Sequence, residues 1–223
     1  MDAAGSTAGA STAALLEDLA AANITPWPHQ LDAISKIVTT KTKRCLVQHA
    51  AGSGKSLTIA GLASSLADDG FRVVVICDRR QLDAQIYATV RRVCQRRHSV
   101  GRASSVADLA ASTETILCTT LQKVSRASQA QRSTKKTAVL VDECHRSYAD
   151  ENVWRRLDEA LGAPSLIVRF RAQIRFDASA RWRDGVDCTQ VGFTATPEDR
   201  ELATLGNPLH CFPLSAAIQH GFV

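Results

Sequence analysis

The stretch His49 to Thr58, "HAAGSGKSLT", decides the fold. It follows the apolar run "CLVQ" (45–48) and opens the helical pattern "KSLTIAGLASSLADDG" (55–70). A small-residue turn between a buried strand and a helix is the setting of a phosphate loop. Backbone N–H groups close around phosphate oxygens there, and the helix N-terminus adds its partial positive charge. In that reading Gly52, Ser53 and Gly54 make the turn, Lys55 reaches the β- and γ-phosphates, and Ser56 binds Mg²⁺. The common pattern places Gly six residues before the Lys, where this chain has His49; a plain strand-to-helix turn is the alternative.

Outward from the loop, short apolar runs alternate with helical patterns. "CLVQ" (45–48), "RVVVIC" (72–77), "TILCT" (115–119), "AVLVD" (138–142) and "QVGFT" (190–194) are rich in β-branched residues and mostly not alternating, as expected of strands buried on both faces. "KSLTIAGLASSLADDG", "RRQLDAQIYATVRRVCQRR" and "RSYADENVWRRLDEALG" supply the helices. The order predicts an α/β domain with a mainly parallel sheet and helices on both faces. The stretch 163–187, with the partly alternating "VRFRAQIRF", fits poorly and reads as an insertion carrying a half-exposed strand or hairpin. Residues 1–23 read as an alanine-rich segment with a short helix over 12–22 behind a disordered tip.

Composition narrows the class. With 45% apolar and 22% charged residues, the 223-residue chain matches a globular protein, and no run approaches the roughly 18–20 apolar residues of a membrane span. No secretory or transit build is present at the start, so a cytoplasmic or nuclear location is expected. The seven cysteines form no CxxC pair and read as reduced packing residues. The net charge of +5 is unevenly placed. Residues 91–102 hold five arginines without an acid, and 123–136 hold Lys123, Arg126, Arg132, Lys135 and Lys136. Either cluster permits polyanion binding, and either serves equally as a solvated face.

A second chemical motif is "AVLVDECHRS", in which a strand delivers Asp142 and Glu143 to its C-terminal end, where open α/β sheets place their ligands. Asp142 suits an outer-sphere Mg²⁺ position, and Glu143 is placed to deprotonate an attacking water. A third is "VGFTATP", whose Thr194 and Thr196 either link the site to neighbouring structure or form a Thr-rich turn stopped by Pro197.

In this order "AAGSGKS", "DECH" and "TAT" resemble motifs I, II and III of superfamily 2 helicases and translocases. More narrowly, "WPHQLDAI", "QHAAGSGKSLT", "CDRRQLDAQI", "LCTTLQKV", "VDECHRS" and "VGFTATP" resemble the motor part of type I restriction enzyme R subunits, a group that often has His at the place of His49. The resemblance covers residues 24–223 and implies a RecA-like ATP-binding domain over 24–206, with ATP and Mg²⁺ as cofactors. It implies that Gln30 contacts adenine, that Thr194 and Thr196 couple hydrolysis to strand movement, and that His145 bridges motifs II and III. Arg79, Arg80, Thr119, Thr120 and Lys123 become candidates for the nucleic-acid backbone, with DNA favoured over RNA. Residues 207–223 resemble the link toward a second motor domain, which the chain is expected to lack. Since that domain closes the family's ATP site, nucleotide binding with poor turnover is the expectation for the chain alone. The alternative is a non-catalytic fragment that keeps the fold as an interaction module.

Overall fold

A computed structural model of the chain describes residues 4–39, 44–50, 52–77, 80–124, 136–142, 166–170, 189–194 and 209–221. In chain order the elements are α1 (Ala4–Ala21), α2 (Pro28–Thr39), β1 (Arg44–His49), α3 (Lys55–Asp68), β2 (Arg72–Cys77), α4 (Arg80–Cys94), β3 (Val100–Arg102), α5 (Val106–Ala111), β4 (Ile116–Thr120), α6 (Leu121–Val124), β5 (Thr137–Val141), β6 (Leu166–Phe170), β7 (Thr189–Thr194), β8 (His210–Phe212) and α7 (Leu214–Gln219). The strands form one sheet in the order β3-β4-β2-β5-β6-β7-β1-β8, with a further pairing between β6 and β1. Every pairing is parallel, so all C-terminal strand ends lie along one edge. Among the described residues no helix is long and apolar enough to cross a membrane.

Strands β2, β4 and β5 are buried at every position. Side chains alternate between faces, so Val73, Val75, Cys118, Ala138 and Leu140 join one core, while Val74, Ile76, Leu117, Val139 and Val141 are buried on the other face. Continuous apolar runs follow from this two-sided burial.

Helix α3 lies at the centre of the first core, with Thr58 to Ala67 all buried. Its small residues let three other helices close on it. At Gly61 a β-carbon would stand 2.6 Å from Ile34 Cδ1 of α2 and 3.4 Å from Leu15 Cδ2 of α1, so the absent side chain sets the depth of that crossing. On the α4 side, the Cys94 thiol donates to the Ala60 carbonyl at 3.4 Å.

Three segments take definite places in the fold. The N-terminal helix begins at residue 4 rather than 12, and Leu15 and Leu19 belong to the same core as α3. Leu15 and Leu19, one helical turn apart, supply the apolar contact that a loose tip lacks. Within 163–187, residues 166–170 form strand β6, paired with β5 on one side and β7 on the other; the rest of that stretch lies outside the described residues. The apolar "LIVRF" takes a place in the sheet, whereas the alternation that suggested a hairpin belongs mainly to the residues after it. Within 207–223, β8 pairs with β1, and Ala217 packs with Ala50 and Phe212.

The arginine cluster also has an internal task. Asp18 on α1 is 2% exposed; Arg96 Nε donates to its Oδ1 at 2.9 Å and Arg97 Nε to its Oδ2 at 2.6 Å. Arg97 also bonds Asp68 at 2.6 Å and Ser64 at 3.0 Å, and Arg92 donates to the Ala22 carbonyl at the end of α1. Three of the five arginines thus tie α1 to α3 and α4, a third role beside the polyanion binding and the solvated face that residues 91–102 left open.

Candidate functional site

The loop after β1 turns on two glycines in the left-handed region, Gly52 (φ 78°) and Gly54 (φ 73°). That region disfavours any residue with a β-carbon, which is why glycine stands at both places. Gly54 caps α3 with no side-chain bond to the first turn, and Lys55 and Ser56, both half-buried, begin the helix. A helix N-terminus directs its first backbone N–H groups toward the loop before it, a direction that suits an anion. The turn itself is braced, since Ser53 Oγ donates to the Ala50 carbonyl at 2.7 Å.

The sheet register brings the other motifs to the same edge. Val141 pairs with Arg169 and Arg169 with Leu46, so Asp142 stands level with Val47, just before the loop opens. The Asp142 N–H still bonds the Ile76 carbonyl at 2.9 Å, continuing the ladder, and its side chain is buried. Gly192 pairs with Leu46, which puts Thr194 level with Gln48 at the end of β7. Thus Gly52, Ser53, Gly54, Lys55, Ser56, Asp142 and Thr194 gather at one edge. A phosphate-binding turn beside a buried carboxylate is a donor set suited to a nucleotide with Mg²⁺. Glu143, His145, Thr196 and Arg79 lie outside the described residues.

The nucleic-acid candidates divide. Thr119 and Thr120 are 1% and 2% exposed inside β4, so their hydroxyls do not form a contact surface in this conformation. The end of an interior strand is buried like its middle, which a hydroxyl-rich "TT" did not suggest. Lys123 is half-buried on α6 and donates to the Ala103 carbonyl at 3.0 Å. Arg80 opens α4.

Gln30 is 2% exposed and grips the loop. Its Nε2 donates to the carbonyls of Ser53 and Gly54, both at 3.2 Å, and its Oε1 accepts from the Trp27 N–H at 2.9 Å. Both amide hydrogens are therefore engaged on the loop, where resemblance alone implied an adenine contact.

Beside it lies a cluster that sequence reading missed. His29 Nε2 stands 3.0 Å from the Ser53 carbonyl and, facing an acceptor, carries the proton. The His29 ring stacks on Phe212 with centroids 3.7 Å apart and planes 5° from parallel, and meets His49 edge-on at 5.3 Å. His210 Nε2 faces Asp32 Oδ2 at 3.2 Å, while its Nδ1 faces His49 Nε2 at 3.1 Å. A carboxylate only accepts, so neutral His210 donates to Asp32 and accepts from the His49 Nε2–H. The bond to Lys36 holds the Asp32 carboxyl below its ordinary range. Burial lowers His29 and His210, and burial with the nearby His210, His29 and Lys55 pushes His49 down to about 2. All three rings are neutral near pH 7. His49 was marked in the sequence as a departure from the common loop pattern, but His29 in "WPHQ" and His210 in "HCF" gave no sign of meeting it.

Similar curated proteins are the type I restriction enzyme SsaAORF53P endonuclease subunit of Staphylococcus saprophyticus, 30% identical over 135 residues, and the SauCOLORF180P endonuclease subunit of Staphylococcus aureus strain COL, 29% identical over 133 residues. Each match covers 54% of this chain and 14% of the relative. Among solved structures, Saccharomyces cerevisiae Dbp5 bound to RNA and ADP BeF3 matches with a TM-score of 0.61 at 16% identity, over 89% of this chain and 49% of that one. The UvsW helicase from bacteriophage T4 matches at 0.56 and 16% identity, over 85% and 60%. These structural likenesses establish a RecA-like fold. The family model described as SWI2/SNF2 ATPase matches residues 29–223, nearly the whole chain. The chain belongs to the SWI2/SNF2 ATPase family and is a RecA-like domain of superfamily 2.

Proposed function

We propose that this chain is the Mg·ATP-binding domain of a nucleic-acid-dependent ATPase of the helicase or translocase type. One observation carries the reading: a loop turned by two left-handed glycines opens directly into α3 at Lys55, on the sheet edge that holds Asp142. Lys55 and the first N–H groups of α3 bind the phosphates. Ser56 and Asp142 hold Mg²⁺, which when bound neutralises charge on the β- and γ-phosphates. Glu143 is the base that takes a proton from the attacking water. His145, Thr194 and Thr196 couple that step to movement along the strand. Arg79, Arg80 and Lys123 remain the nucleic-acid contacts, and a second RecA-like domain is the expected structural partner.

DNA is the favoured track, supported by the likeness to type I restriction enzyme endonuclease subunits. Phosphate release by the chain supplied with a second motor domain, measured with duplex DNA, with single-stranded RNA and without either, tests the assignment, and the chain alone is expected to release little. Stimulation by DNA supports it. Binding of Mg·ATP without any release, even when a second motor domain is supplied, supports the non-catalytic module instead.

A further inference from the structure

We propose that His29 and Phe212 are positioning residues for the phosphate loop, and that β8 thereby couples occupancy of the loop to the segment 209–221; the nucleotide half of this rests on the function proposed above. Three contacts converge on the turn from outside it. His29 donates to the Ser53 carbonyl, the residue at the centre of the turn. Phe212 fixes the plane of that imidazole by a near-parallel stack at 3.7 Å. The Ala50 N–H, at the entry to the loop, donates to the Phe212 carbonyl at 2.9 Å. One residue of β8 therefore holds both the loop's entry and the side chain that grips its centre.

The register locks this arrangement. His49 pairs with Phe212 and Val47 with His210, so β8 lies beside only the last half of β1, the part that feeds the loop. The bond from His49 to His210, and from His210 to Asp32 on α2, joins the same three segments by a second route. A turn held at its carbonyls presents its N–H groups on the opposite side in one orientation, which is what a phosphate needs. Coupling is reciprocal, so a nucleotide that favours this loop conformation also favours docking of β8.

The test compares the 223-residue chain with Phe212→Leu, Phe212→Tyr and His29→Phe by hydrogen–deuterium exchange without nucleotide, then by Mg·ATP titration calorimetry. Phe212→Leu keeps an apolar side chain and loses the stack; Phe212→Tyr keeps the stack; His29→Phe keeps the stack and loses the donor. Loss of the stack or of the hydrogen bond is expected to raise exchange of residues 52–58 by about two- to tenfold and to weaken Mg·ATP by a similar factor. Phe212→Tyr is expected to match the parent. In the parent, Mg·ATP is expected to slow exchange over 209–213. Unchanged loop exchange in folded Phe212→Leu and His29→Phe overturns the proposal, as does a Phe212→Tyr chain as perturbed as Phe212→Leu. Should Phe212→Leu not fold, His29→Phe alone decides. A parent chain that fails to bind Mg·ATP defeats the nucleotide reading, while the exchange arm still tests the clamp.

Discussion

Removing the Asp18 carboxylate should cost about 2–3 kcal/mol. Its side chain is fully buried between two guanidinium groups, with Nε-to-oxygen distances of 2.9 Å and 2.6 Å. Hydrogen bonds to charged groups contribute roughly 1.5–3 kcal/mol each, and breaking a buried pair costs about 3–5 kcal/mol. The arginine side chains are 51% and 23% exposed, so water takes over part of what Asp18→Ala removes, and Arg97 keeps its bond to Asp68. The lower part of the range follows. For a domain of this size that is a fall in melting temperature of about 5–10 °C. The control is Glu17→Ala on the same helix. Glu17 is 72% exposed and 3.3 Å from Arg96, and an exposed pair of this kind contributes about 0–1 kcal/mol. Urea unfolding of the parent and both variants gives the two differences directly. A loss below about 0.5 kcal/mol for Asp18→Ala, or equal losses for the two variants, would refute the docking of α1 by this carboxylate.

Acid should also destabilise the chain through its buried histidines. A folded pKa below the ordinary 6.5 means that the unfolded state binds the proton first, so stability is complete above pH 6.5 and is lost as pH falls. For His49, whose folded value is about 2, the loss continues down to that pH and reaches about 2 kcal/mol at pH 5, with His29, His98 and His210 acting in the same direction. Urea midpoints at pH 7 and pH 5 for the parent and His49→Gln check this, and an equal drop in both contradicts it. At Gly61 an added methyl must displace Ile34, at roughly 1–3 kcal/mol, against a helix-propensity gain of about 1 kcal/mol. Gly61→Ala should therefore melt lower, and a higher melting temperature would show that the α1–α2–α3 crossing has slack. Gly54→Ala meets both a left-handed φ and Gln30 Nε2 at 2.3 Å from the new β-carbon, so it should leave a folded chain with little affinity for Mg·ATP by calorimetry. Parent-like affinity would mean that neither the turn nor the Gln30 grip matters to the site.

Much of this was legible because local signals sufficed. Val73, Val74, Val75 and Ile76 announce a strand buried on both faces, and β2 has the bounds that its apolar run gives. The turn at Gly52 and Gly54 was readable for the same reason: its strand, turn and helix are contiguous, and the glycines stand where a positive φ requires them. What escaped depends on partners distant in sequence. Nothing near Asp18 reveals that Arg96 and Arg97 close over it, so the acid-free arginine run left polyanion binding and a solvated face equally open. His29 and His210 are unremarkable singly, and the two meet His49 only when α2, β1 and β8 assemble. Strand β6 was obscured because its apolar run continues into an alternating pattern with no turn residue between them. Helix α1 was underestimated since alanine, serine and glycine give little amphipathic contrast before Leu15.

The most direct measurement is Mg·ATP affinity by titration calorimetry for the chain as it stands and for Lys55→Ala, both shown to be folded by circular dichroism. Saturable binding by the parent, lost in Lys55→Ala, is the expected result and identifies the turn at Gly52–Gly54 as a working phosphate site. Equal affinity in the two chains, or none in a folded parent, would contradict it.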